Sequence, residues 1–260
     1  MAEYIEIAKS WDGLNEWQLQ EIAHLYLNTP VEDFSEAYIQ MIIIIYQKST
    51  SNSDLYNWDK LRRNVPLSEL SKYTTFIKEK ADFYSFPDIP GLIKPADAIG
   101  DITVRQFNAI DTYFYFWNKD RTTLNLKRLV ASLYRIKEEY DDLDIAAVDA
   151  ITRKIPVKQM EVIALAYLFT RNEISKTFKV VFPEAKKDSE EKKLQPVFTK
   201  KDDQFIPFDK IIIGMSMDEL QPLGKKQDVN KVRVYEFLSV LSESILYHRA
   251  KAKAQSNERK

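Results

Sequence analysis

The chain of 260 residues has 38 basic and 39 acidic residues, and its formal net charge of −1 argues against a nucleic-acid-binding protein, which usually has a basic excess. It contains no Cys, two His and five scattered Gly, whereas most metal, thiol, imidazole and phosphate-loop chemistry needs those residue types in groups. The composition therefore predicts a non-enzymatic helical interaction protein that binds no metal and no cofactor.

Neither the first residues nor the most apolar stretch is typical of export or membrane insertion. Residues 1–6 are acidic and polar, whereas a signal peptide has a basic start and a long apolar run. The most apolar stretch, residues 41–46, is far shorter than the roughly 20 apolar residues that span a bilayer. With no Cys to form disulfides, these features favour a cytoplasmic protein without a membrane partner.

Two helices are predicted near the beginning of the chain. Asn15 and Gln18 have the spacing of a capping box, and apolar residues then recur at helical intervals over 15–28. A second helix is predicted after Asp33. Its four consecutive Ile residues, 42–45, could argue for a strand, but the longer periodic run around them favours a helix.

The next part of the chain contains helix breakers. Residues 49–54 are predicted to be a polar loop, residues 58–80 are ambiguous, and Pro66 could open a short helix over 67–72. Three Pro and one Gly interrupt residues 74–95 and forbid a long helix there. That segment is therefore predicted to be extended or to form a minor β element.

Helices resume at residue 103. Thr103 and Gln106 form a second capping-box pattern that opens a long helix. Further helices are predicted over 124–138, from about residue 145, and from Pro156 to about residue 171, where Pro suits the first turn. The predicted fold class is mainly α, an irregular multi-helix bundle with the minor extended segment around residues 74–95.

The charge pattern divides the chain near residue 184. Residues 184–204 are rich in Lys, Glu and Asp and leave little to bury, which predicts a flexible charged linker. Residues 1–183 are then a helical main domain, and 205–251 are a C-terminal helical segment. Residues 252–260 form a polar tail that we expect to fray.

The last predicted helix, residues 228–251, is wider in its apolar face than a lone surface helix requires. We hypothesise that a second face of this helix contacts another protein or another copy, with burial on two sides in its own core as the alternative. The residues assigned to this protein interaction are Val234, Phe237, Leu238, Val240, Leu241 and Ile245, and Tyr247 widens the same face.

Two other groups of residues have a structural interpretation and a functional one. His24 and His248 lack neighbouring ligands, so a structural or surface role is favoured over metal binding.

The aromatic run over 113–117 could stack on nucleic-acid bases, but its flanking charges nearly cancel. Five consecutive aromatics on a helix point in all directions, so we expect some in the core and some exposed at a protein interface.

Residues 11–18 have the pattern Trp-x-x-Leu-Asn-x-x-Gln. This pattern resembles the opening Trp-x-x-Leu-Thr-x-x-Gln of a group of mostly uncharacterised proteins from phages and prophages of Bacteroidetes, with Asn15 in place of Thr. Residues 102–107 are similar to a later Leu-Thr segment that opens a helix. The helix at 126–135, the Ile-Pro at 155–156 and the Val-x-x-Val-x-Val-Tyr-Glu-Phe-Leu pattern at 229–238 complete the resemblance.

The resemblance implies a role in phage tail morphogenesis. It suggests a tail-assembly chaperone that holds a phage tail protein, such as the tape measure, in the host cytoplasm. The alternative is a structural component that remains in the phage particle and contacts other virion proteins. An enzyme or a nucleic-acid processing factor is less favoured, because none of the motifs is catalytic.

Overall fold

The computed structural model describes residues 7–183, 208–218 and 221–258. Within these ranges the chain is mainly α, as predicted, and none of the described residues belongs to a β-strand. The predicted linker, residues 184–204, and residues 205–207 lie outside the described ranges. The α-helices are α1 (Glu16–Asn28), α2 (Phe34–Gln47), α3 (Asn52–Asn64), α4 (Leu67–Leu70), α5 (Phe76–Glu79), α6 (Val104–Asp120), α7 (Thr123–Leu133), α8 (Ile145–Thr152), α9 (Val157–Thr177), α10 (Phe208–Met217), α11 (Lys226–Val229) and α12 (Val234–Glu258).

Both predicted N-caps open helices, but only the first forms a complete capping box. The backbone N–H of Gln18 donates to Asn15 Oδ1, and the Asn15 N–H donates to Gln18 Oε1, each at 2.9 Å. At α6 the Thr103 hydroxyl accepts from the Gln106 N–H at 3.4 Å. The Gln106 side chain instead donates to the Ser132 carbonyl at 3.0 Å. This buried amide satisfies a carbonyl in the last turn of α7, so the second box is incomplete.

The segment around residues 74–95 is only partly extended. It begins with the short helix α5, and residues 80–89 have no regular secondary structure. Ile93 forms one isolated antiparallel bridge with Arg135, with N–H···O distances of 2.7 and 3.0 Å. The predicted β element is therefore reduced to this single bridge in the described chain.

Helix boundaries differ from the predicted ones where tertiary contacts decide them. The backbone of Arg135 pairs with Ile93, which stops α7 early. α3 buries no residue, so its apolar period is weak in the sequence. Helix α7 ends at Leu133 rather than at residue 138, and α9 ends at Thr177 rather than at residue 171. Helix α12 spans Val234–Glu258 rather than 228–251. Helix α3 occupies Asn52–Asn64, where the sequence predicts a loop and an ambiguous stretch.

The described residues form two compact units. The first unit comprises residues 7–83 and 156–169, so it includes most of α9. The second unit contains residues 84–155 together with the described residues after 169. Residues 1–183, which the sequence predicts to be one domain, are therefore divided between the two units. The C-terminal helices belong to the second unit.

Trp11 is the centre of the core of the first unit. It is 1% exposed, and its indole N–H donates to the Lys80 carbonyl at 2.6 Å. Its ring meets those of Tyr26, Phe76 and Phe169 edge-on, with centroids 5.8, 6.1 and 5.2 Å away. A single side chain thus packs α1, α5 and α9 together, and edge-to-face geometry is favourable for aromatic pairs.

Phe208 has a similar role in the second unit. Its ring centroid lies 5.0 Å from that of Phe107 on α6 and 5.5 Å from that of Phe237 on α12. All three rings are at most 2% exposed. Helices α6, α10 and α12 therefore share one aromatic core.

We predict that Trp11→Ala destabilises the protein by about 3–5 kcal/mol, because it leaves a large cavity among three aromatic rings. The matched control is Tyr56→Ala on α3, which removes a side chain that is 68% exposed and should cost within about 0.5 kcal/mol. Urea unfolding of the full chain, followed by circular dichroism, measures both. Equal losses for the two variants would contradict this description of the core.

Candidate protein-interaction site

α12 carries all six residues predicted to contact a partner, but the structure distributes them over two faces. Val234, Phe237 and Leu238 have no exposed surface and Leu241 is 6% exposed, whereas Val240 and Ile245 are half-buried. The four buried residues face the core of the second unit, as the Phe237–Phe208 contact illustrates. This corrects the predicted binding role of Val234, Phe237, Leu238 and Leu241, which stabilise their own unit.

Backbone hydrogen bonds at the beginning of α12 determine which face of this helix turns towards the core. The Val104 N–H donates to the Val232 carbonyl, and the Val234 N–H donates to the Ile102 carbonyl, both at 2.9 Å. In the first turn of α12, the Tyr235 hydroxyl donates to the backbone carbonyl of Ala98 at 2.9 Å. Burial raises the pKa of the Tyr235 hydroxyl.

A groove of about 570 Å³ lies on a different side of α12, beside the turn that follows α9. Most of the surface of the groove is apolar, although four of its nine lining residues are apolar and five are polar or charged. A mixture of apolar and polar residues is typical of protein-binding surfaces. The apolar members are Phe178, Val180, Val240 and Leu246, the charged ones are Lys179 and Glu243, and Thr177, Ser239 and Ser242 complete the groove.

The wall formed by residues 177–180 is held in place by local hydrogen bonds and by a cation. The N–H groups of Val181 and Phe182 donate to the Phe178 carbonyl at 3.0 and 2.9 Å. The Arg171 guanidinium lies 4.2 Å from the centre of the Phe182 ring, and its Nε donates to Asp111 at 2.6 Å. Because Asp111 belongs to α6, the wall is tied to the core helices of the second unit.

The end of α12 extends the apolar surface of the groove. All twelve side chains over residues 246–257 are exposed, along roughly 18 Å of helix at 1.5 Å per residue. Leu246, Ala250 and Ala254 recur at intervals of four residues, and Tyr247 precedes Ala250 by three, so the four residues lie on one side of the helix. Leu246 is 44% exposed and Tyr247 is 50% exposed. A second apolar face on α12 therefore exists, but it consists mainly of residues beyond the predicted set.

Both His residues lie next to carboxylates. His24 Nδ1 is 2.8 Å from Glu161 Oε2, and His248 Nε2 is 2.7 Å from Asp218 Oδ2. Among the residues that the structure describes, no three His, Asp or Glu side chains come close enough to hold a metal ion. Each His thus has a hydrogen-bonding partner within its own unit.

The aromatic run over 113–117 points in several directions, as expected for a helix. Phe114 and Trp117 are 5% and 2% exposed, whereas Phe116 is 44% exposed. The prediction that some of these rings belong to the core and some to the surface is confirmed.

In the described ranges, no helix is both long enough and apolar enough to cross a membrane. No protein-family model, no curated protein and no solved structure matches the chain. The function is therefore inferred from the geometry of the groove and from the sequence motifs.

The sequence-based hypothesis places the interaction on α12 and does not include the opposite wall of the groove. The available signal was the apolar pair Phe178 and Val180, which directly precedes the charged stretch beginning near residue 184. Periodicity could not reveal that these residues lie beside Val240 and Leu246, because that proximity depends on tertiary packing.

We predict opposite outcomes for two substitutions on α12. Phe237→Ala should destabilise the protein by about 3–5 kcal/mol, since it empties a fully buried aromatic site. Leu246→Ala should change the free energy of unfolding by within about 0.5 kcal/mol, since the groove side of the helix is open. Chemical unfolding of both variants tests this, and a large loss for Leu246→Ala would place the groove residues in the core instead.

Proposed function

We propose that the chain is a non-enzymatic phage tail morphogenesis factor, a tail-assembly chaperone that holds a phage tail protein in the host cytoplasm. The observation that carries the proposal is the apolar groove between α12 and residues 177–180, which continues along the exposed end of α12. The motif resemblance supports a tail protein as the client, with the tape measure as the first candidate.

The groove suits an amphipathic helix of the client. Such helices insert apolar side chains at intervals of three and four residues into a hydrophobic groove. Phe178, Val180, Val240 and Leu246 provide the matching apolar surface. Lys179 and Glu243, of opposite charge, also line the groove, and such charges favour one orientation of the bound helix over the other.

The exposed end of α12 gives the site a way to respond to the client. An isolated helix shorter than about 12–15 residues is marginal in water, and no side chain over residues 246–257 is buried, although His248 lies 2.7 Å from Asp218. Contact with the client would bury Leu246, Tyr247 and Ala250 and stabilise these turns. A chaperone needs such a site, because it must release its client when the tail polymerises.

We predict that Leu246→Asp weakens capture of the client by at least about tenfold, or 1.4 kcal/mol, because it places an unpaired carboxylate in an apolar contact. The matched control is Leu124→Asp, which alters a Leu that is 58% exposed on α7 of the same unit and lies outside the groove. The measurement is quantitative co-purification of the affinity-tagged chain with the co-expressed tail proteins of the phage that encodes it. Equal capture by both variants, or capture of no tail protein, would contradict the proposal.

The same proposal distinguishes a chaperone from a structural component. A chaperone leaves before the particle is complete, so mass spectrometry of purified particles should detect the tail proteins without this chain. Stoichiometric presence of the chain in the particle would favour the structural alternative.

A further inference from the structure

The first unit has a second groove, of about 490 Å³, between α2, α3 and the residues that follow α3. Its apolar lining comes from Ile43, Trp58, Val65, Leu67 and Leu70. α3 has no buried residue, and Trp58 is only half-buried, so α2 covers the apolar side of α3 incompletely. The groove therefore presents an aromatic surface that a further apolar side chain could cover.

Two guanidinium groups border this groove and share one carboxylate. Arg62 binds Asp59 Oδ1 through two nitrogens at 2.6 and 2.8 Å, and Arg63 contacts Asp59 Oδ2. The Arg62 hydrogen bond lowers the pKa of Asp59, so this carboxylate stays ionised. The side chains of Arg62 and Arg63 are 59% and 73% exposed, and each guanidinium has five donors. The border thus has a net charge of +1 and spare N–H groups for another carboxylate.

The chain itself carries an apolar side chain surrounded by carboxylates. Leu143 is 85% exposed, the highest value of any large apolar residue in the described ranges. It lies in the 3-10 helix Asp142–Asp144 of the second unit. Residues 138–144 contain five acidic residues, and two cations form ion pairs with some of them. The group of these seven charged residues therefore has a net charge of −3. The acidic residues are Glu138, Glu139, Asp141, Asp142 and Asp144, and the cations are Arg105 and Lys137.

This acidic tip, residues 138–144, is held rigidly. Arg105 binds Asp142 at 2.8 Å, and Lys137 binds Asp144 at 2.7 Å. The Leu143 N–H donates to Asp141 Oδ1 at 3.1 Å. These contacts hold the backbone that carries Leu143, and an ordered backbone lowers the entropic cost of binding.

We propose that the acidic tip of one copy binds the α2–α3 groove of a second copy. Leu143 would cover Trp58, and the surrounding carboxylates would lie near Arg62 and Arg63. Trp and Arg are the residue types that most often dominate binding energy at interfaces. The two surfaces differ, so the contact is heterologous: each copy uses its tip on one neighbour and its groove on another. The proposal involves no residue of α12 and is independent of the client-binding role.

The charges and the small apolar contact determine how the association should behave. It should increase with protein concentration between about 10 µM and about 1 mM, as expected for a weak contact. Because ion pairs at an exposed border are screened by salt, the associated fraction should fall when the ionic strength rises from about 0.05 to about 0.5 M.

Sedimentation velocity of the full chain tests the proposal with two complementary variants. Leu143→Ser disables the tip, and Arg62→Gln with Arg63→Gln disables the groove. All three positions are exposed, so neither variant endangers the fold. Each variant alone should remain monomeric. An equimolar mixture should form dimers and no larger species, because only one intact tip and one intact groove can meet.

The control is Leu124→Ser, which removes another exposed Leu of the second unit and should associate like the wild type. A wild-type chain that stays monomeric up to about 1 mM would overturn the proposal. So would continued association of Leu143→Ser, a monomeric mixture of the two variants, or an equal loss in the control.

Discussion

The buried stretch of α9 is the constraint on which the packing of the first unit depends. All side chains over residues 160–169 are buried, and a helix without a solvent face must be covered on every side. Its one charged residue, Glu161, is 5% exposed. The carboxylate accepts from Asn28 Nδ2 at 2.8 Å and lies 2.8 Å from His24 Nδ1. An unpaired buried carboxylate costs several kcal/mol, so these partners secure α1 against α9.

The position of the candidate groove follows from what the core of the second unit requires. Phe237 must be buried against Phe208, and the hydrogen bond from Val234 sets the rotation of α12. With that face turned inward, Val240 and Leu246 are left on the groove side. The last turns of α12 then extend past the core with apolar side chains in contact with water. Binding an apolar client segment would remove that unfavourable exposure.

The sequence predicts the helices that bury one face, because burial imposes a 3.6-residue apolar period. α1 and α2 are examples, and the Asn15 cap was also recognisable. α3 was missed because nothing on it is buried. For the candidate site, the sequence suggests α12 as the helix to consider, but it does not predict which residues of α12 are exposed. Which side of α12 is free depends on backbone contacts near residues 102–104, and the wall at 177–180 depends on tertiary packing, neither of which periodicity encodes.

The most direct test of the client-binding account is site-specific photocrosslinking in cells that assemble the phage tail. A benzoylphenylalanine is placed at position 246 in one chain and at position 124 in another, and adducts are identified by mass spectrometry. The account predicts a covalent adduct with a tail protein from position 246 and none from position 124. Absence of a tail-protein adduct at position 246, or equal adducts from both positions, would contradict it.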